Sequence, residues 1–116
     1  MRDKKNDEAR IGLMKEEIAN IEEFIKKTHS VEEFVSDKIL CHAVVYNLQC
    51  IGENVYKLSR EFIESHADMQ WEAIEGLRHV LVHDYYNVSF ENIWRIITTR
   101  IPQLKKYLEK IPSPEV

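Results

Sequence analysis

Apolar side chains recur at intervals of three and four along almost the whole chain, and that period leaves room for little except helices packed on one another. Between Asp3 and about Thr28, the positions Ile11, Met14, Ile18, Ile21 and Ile25 mark one face of a first helix. Ser30-Val31-Glu32-Glu33 has the form of a capping box, which predicts a short helix starting there. From Asp37 a heptad-like stripe of Leu40, Val44, Leu48, Ile51, Val55, Leu58 and Phe62 predicts one long helix reaching about Ser65. His66-Ala67-Asp68 is a polar break, after which a further helix is predicted from about Gln70 into the low eighties. Asn87 and a Ser89 N-cap then introduce a last helix carrying Ile93, Ile96, Ile97, Ile101, Leu104, Tyr107 and Leu108. Pro102 within it is expected to bend or interrupt the helix, and the ending IPSPEV reads as a frayed tail.

Only three Gly and three Pro are available for turns, so connections are short and an all-α, antiparallel bundle of four to five helices is the expected architecture. A length of 116 residues allows one domain over residues 1–116 and excludes a multidomain enzyme with its own cofactor fold. No apolar run approaches the roughly 18 residues of a membrane span, so no membrane partner is expected. MRDKKNDEAR is charged where a signal peptide would be apolar, which makes the cytoplasm the expected location. The net charge of −4 excludes a broad basic surface for nucleic acid, and DNA is not an expected partner. Cys41 and Cys50 fall on opposite sides of one helix, out of reach of a disulfide, and read as buried thiols.

The stretch Leu77-Arg78-His79-Val80-Leu81-Val82-His83-Asp84-Tyr85-Tyr86 carries the chemistry. On an ideal helix Trp71, Ile74, Leu81, Val82 and Tyr85 fall within about 60° of Arg78, so a permanent charge sits in the middle of an apolar face. It needs an anion there, either a carboxylate from a neighbouring helix or the phosphate of a ligand. His83 lies about 140° around the helix from Arg78, so the two share a site only if the helix ends between them or a second chain brings them together.

Arg78-x4-His83-x-Tyr85 resembles the R-x4-H-x-Y motif of the HepT-like HEPN (higher eukaryote and prokaryote nucleotide-binding) proteins, the toxin halves of bacterial toxin–antitoxin pairs. It lies within GLRHVLVHDYYNV, after Trp71-x2-Ile74, and Asn47-Leu48-x2-Ile51-Gly52-Glu53 looks like the family's N-L-x-x-I-G-E block. Tyr46 and Asn54 stand where many relatives carry an arginine and an alanine. The resemblance covers essentially the whole chain. It implies a HEPN bundle that forms a homodimer, with an endoribonuclease site where two motif helices meet, and it implies no metal and no cofactor. The further implication is a type VII-like pairing with an MNT-type nucleotidyltransferase antitoxin that transfers AMP to the motif tyrosine, Tyr85. In that scheme RNA is the substrate, Arg78 faces its phosphate, and His83 moves protons. Glu53 and Asn47 are candidates for orienting one or the other.

Two other chemistries fit the same residues. His79 and His83 stand one turn apart with Asp84 following, which is half of a metal site. A non-catalytic bundle that only binds a nucleotide or docks a partner also fits. Trp71 and Tyr46 could stack on bases, although aromatics at helical spacing are more often core or interface residues.

Overall fold

The computed structural model describes residues 4–111. Six α-helices and one 3₁₀ turn follow in order: α1 (Lys4–Ile25), α2 (Val31–Ser36), α3 (Lys38–Tyr56), α4 (Arg60–Ser65), α5 (Trp71–His83), the 3₁₀ turn Tyr85–Asn87, and α6 (Phe90–Leu108). The expected all-α bundle is what forms. The start of the first helix at Asp3 and most of the C-terminal tail lie outside the described residues. No helix among the described residues is long and apolar enough to cross a membrane.

Capping residues set the ends as their chemistry requires. The Ser30 hydroxyl accepts from the Glu33 amide at 3.1 Å, and the Glu33 carboxylate reaches back one residue further than a capping box predicts, to the His29 amide at 2.9 Å. Asp37, Ser59 and Ser89 each accept from the amide three residues on, starting α3, α4 and α6.

The stripe from Leu40 to Phe62 belongs to two helices and not to one. Asp7 of α1 explains the break: its carboxylate, buried, accepts from the Ser59 amide at 2.7 Å and from the Ser59 hydroxyl at 2.5 Å. Those bonds hold Ser59 in an extended conformation, so α3 stops at Tyr56 and a new helix starts at Arg60. Periodicity continues across the break because Leu58 and Phe62 still pack on the common core. In the last helix the correction runs the other way, since α6 is helical straight through Pro102. The ring removes a single backbone bond, and it lies on the exposed side, where water can take the freed carbonyl of Thr98.

Inter-helix bonds fix the directions. Asp7 meets Ser59, Arg10 meets Asn54 and Glu17 meets Asn47, so α3 runs antiparallel to α1. Lys15 donates to the Ile111 carbonyl and Lys105 to Glu22, which makes α6 antiparallel to α1 as well. On its other side α3 packs along α5. The core is continuous through Ile11, Met14 and Ile18 of α1, Val44 and Ile51 of α3, Leu81 of α5, and Ile97, Ile101 and Leu108 of α6. Between α5 and α6 the bundle stays open, as a groove of about 520 Å³ walled by Leu77 and Val80 on one side and Ile96 and Leu104 on the other, with Leu48 and Ile51 on its floor.

Candidate active site

One polar stripe of α3 faces α5. His42, Gln49, Glu53 and Tyr56 are spaced by seven, four and three residues, which places them within about 60° of each other around the helix. His42 meets Tyr85, Gln49 donates to the Leu81 carbonyl at 3.1 Å, and Glu53 and Tyr56 meet Arg78. The falling partner numbers show that α3 and α5 are antiparallel. Each motif residue that turns inward thus meets a polar partner from the same stripe.

At Arg78 the two helices are in close contact through Gly52. A Cβ built on Gly52 would lie 2.3 Å from the Arg78 Cβ and 3.3 Å from its Cα, so no larger residue fits at that crossing. The guanidinium is led from there to the edge of the interface, with 21% of the side chain exposed. Its Nη1 donates to Glu53 Oε2 at 3.1 Å, and its centre lies 5.3 Å from the centroid of the exposed Tyr56 ring. Nε is buried and has no hydrogen-bond partner. Glu53 is 43% exposed and has Lys57 Nζ at 3.5 Å from its other oxygen. The charge in the apolar face is therefore answered by a carboxylate of the neighbouring helix, and that carboxylate is open enough to solvent for an incoming anion to compete with it.

His83 is the last residue of α5 and is exposed. Its ring lies 4.6 Å from that of His79, and Asp84, next to it, accepts from the Asn87 side chain at 2.7 Å. Among the described residues no hydrogen bond or ring contact joins His83 to Arg78, in keeping with their angular separation on α5. Nor, among the described residues, does any group of three His, Cys, Asp or Glu stand ready to hold a metal ion, so the His79–His83 pair lacks a third ligand there. Burial raises both cysteine thiols above their ordinary range, which keeps them protonated and makes them poor ligands and nucleophiles. Cys41 is buried and donates to the Phe34 carbonyl, whereas Cys50 is only partly buried, short of the expectation for it.

Asn47 faces away from these residues. It is buried against α1, donates to Glu17 at 2.8 Å, and leaves its own oxygen without a partner. The structure brings Glu53 to Arg78 and does not bring Asn47 to either candidate. Trp71 is a core residue whose indole donates to the His66 carbonyl at 2.8 Å, and it is not available to stack on a base. Tyr46 is exposed on α3.

Tyr85 sits in the 3₁₀ turn, half-buried, with its hydroxyl 2.9 Å from His42 Nδ1 and 3.2 Å from Nε2. The His42 ring also makes edge and tilted contacts with Tyr85 and Phe90. Tyr86 beside it is 99% exposed. Sequence reasoning missed His42 because it lies 43 residues from its partner. The usable signal was its place in the polar stripe ending at Glu53 and Tyr56.

The profile of the family described as ribonuclease HepT-like matches residues 14–111. A protein of Caldanaerobacter subterraneus subsp. tengcongensis, provisionally named an RNase, is 41% identical over 86 residues, covering 74% of this chain and 77% of the relative. A provisionally named ribonuclease HepT of Thermococcus cleftensis is 32% identical over 96 residues, 83% of this chain and 86% of the relative. A provisionally named RNase of Methanocaldococcus jannaschii is 32% identical over 96 residues, 81% of this chain and 79% of that protein. No solved structure matches the chain. With the motif arginine, histidine and tyrosine in one helix-to-turn segment and the profile spanning nearly all of the described bundle, the chain belongs to the ribonuclease HepT-like family.

Proposed function

We propose that this chain is a metal-independent endoribonuclease toxin that works as a homodimer, with Arg78 and His83 at a site between two copies. The observation that carries the reading is the placement of Arg78: its backbone is fixed by contact with Gly52, and its guanidinium is held at an edge where Glu53 is its only charged partner among the described residues. A substrate phosphate can take the place of that carboxylate. The RNA 2′-OH attacks the adjacent phosphorus, His83 serves in proton transfer, and Arg78 stabilises charge on the crowded phosphate. His83 of a second copy can supply the acid where the first supplies the base.

Support for a second copy comes from surface chemistry. Val80 is exposed on α5 and lines the open groove, whose floor is apolar. A partner helix laid there would cover Val80, and His83, about 60° from Val80 around α5, lies towards the same side. Control of the toxin then falls to an MNT-type nucleotidyltransferase that attaches AMP to Tyr85.

The alternative is a bundle that binds a nucleotide or a partner without cutting RNA, and the existing Arg78–Glu53 pair favours it, because a paired charge has no need of substrate. Expression of the chain alone separates the two. Growth arrest that Arg78→Ala and His83→Ala each abolish supports the nuclease; absence of arrest in all three, with the proteins folded, supports the binding module. Sedimentation at micromolar concentration tests the homodimer, and a stable active monomer contradicts it.

A further inference from the structure

Tyr85 and Tyr86 are adjacent, and accessibility alone would favour the wrong one as a target for modification. Tyr86 is almost fully exposed, whereas Tyr85 is half-buried against the core, with its hydroxyl at His42 of α3. What distinguishes Tyr85 is the imidazole of His42 at its hydroxyl. The nearer ring nitrogen, Nδ1, is 2.9 Å from the phenolic oxygen, so the tautomer protonated at Nε2 offers an acceptor for the phenolic hydrogen. The ring is held by edge contact with Tyr85 and tilted contact with Phe90, while His42 itself remains exposed and can pass a proton to water. The Tyr107 hydroxyl has a different kind of partner, donating to the Asp68 carboxylate at 2.6 Å.

We infer that His42 is the base that activates the Tyr85 hydroxyl as a nucleophile, so that this chain supplies part of the catalysis of its own modification. The inference rests on the reading of Tyr85 as the acceptor of AMP. In the transfer, the Tyr85 oxygen bonds to the α-phosphorus of a nucleoside triphosphate held by the transferase. The bond from that phosphorus to the oxygen it shares with the β-phosphorus breaks, and pyrophosphate leaves with that oxygen and the electron pair. The phenolic proton goes to His42. The resulting imidazolium lies beside the new phosphodiester anion, which it neutralises before losing the proton to solvent. His42 and Glu53 are about three turns apart on α3, roughly 16 Å of rise, so this charge is nearer to the modified hydroxyl than the Arg78–Glu53 pair.

A partner-free probe tests His42 separately from the transfer. An aryl sulfonyl fluoride transfers its sulfonyl group to an activated phenol oxygen, with fluoride as leaving group and the proton passing to the base. Peptide mapping of the labelled wild-type chain should find Tyr85 labelled ahead of the fully exposed Tyr86. His42→Gln keeps a hydrogen-bond acceptor that can hold the turn but cannot take the proton, and it should slow Tyr85 labelling about a hundredfold, the low end of general-base effects. Preferential labelling of Tyr86 in the wild type, or equal Tyr85 labelling in His42→Gln, overturns the inference. In a parallel arm with the nucleotidyltransferase and ATP, His42→Gln should acquire AMP on Tyr85 correspondingly slowly. A wild-type chain that labels on Tyr85 but never acquires AMP there overturns the acceptor reading instead.

Discussion

Gly52 of α3 and Arg78 of α5 meet with no room for a methyl group between them, since a Cβ on Gly52 would stand 2.3 Å from that of Arg78. The contact lies directly beside the Glu53–Arg78 ion pair, so helix spacing and guanidinium position are set at the same place. Gly52→Ala forces the helices apart or shifts Arg78, and overpacking of this kind costs about 1–3 kcal/mol. The expected result is a lower thermal midpoint together with weaker RNA cleavage measured well below it. A variant with unchanged midpoint and activity would mean that the crossing tolerates a side chain.

Arg78→Ala is expected to behave differently. Its ion pair is partly exposed on both sides, and pairs of that kind contribute about 1 kcal/mol or less. The midpoint should fall by only about 4 °C, as a loss of that size produces in a chain of this length, while cleavage is lost. Calorimetry showing outright unfolding would make Arg78 a structural anchor and remove its catalytic role.

These two residues also show how far the sequence could be read. Helical period, caps and the apolar stripes follow from local spacing, and so does the anomaly of a charge in the apolar face at Arg78. The break between α3 and α4 was hidden because the stripe through Leu58 and Phe62 keeps its period while Asp7, far away in the chain, pulls Ser59 out of the helix. Asn47 and Glu53 looked equivalent in the sequence block, but the rotation of α3 sends one to α1 and the other to α5. The interruption allowed for at Pro102 does not occur, because its exposure, and hence the cheapness of the lost bond, depends on tertiary placement.

Asp7 provides a stability test remote from the candidate site. Asp7→Ala leaves the buried Ser59 amide and hydroxyl without their acceptor, and an unsatisfied buried group costs about 1–3 kcal/mol. Chemical denaturation should show that loss, with cleavage per folded molecule unchanged. Stability equal to the wild type would indicate that Ser59 starts α4 without help from α1.

Tyr107 should be visible in an alkaline titration. Burial, together with its hydrogen bond to the Asp68 carboxylate, pushes its phenol up to about 12. Because the folded value is raised, the stabilisation is fully present below the unfolded value near 10 and is lost as pH rises through about 12. Ultraviolet difference spectra should show a tyrosine phase near pH 12 that Tyr107→Phe removes. A spectrum without that phase would place the Tyr107 hydroxyl in water.

The most direct test of the account is cleavage of single-stranded RNA by the purified chain in excess EDTA, beside His83→Ala of matched folded fraction. The account predicts wild-type cleavage undiminished by EDTA, products ending in 2′,3′-cyclic phosphate from attack of the 2′-OH, and a loss of at least about a hundredfold in the variant, as removal of a general acid or base produces. Cleavage abolished by EDTA, or equal cleavage by His83→Ala, would contradict it.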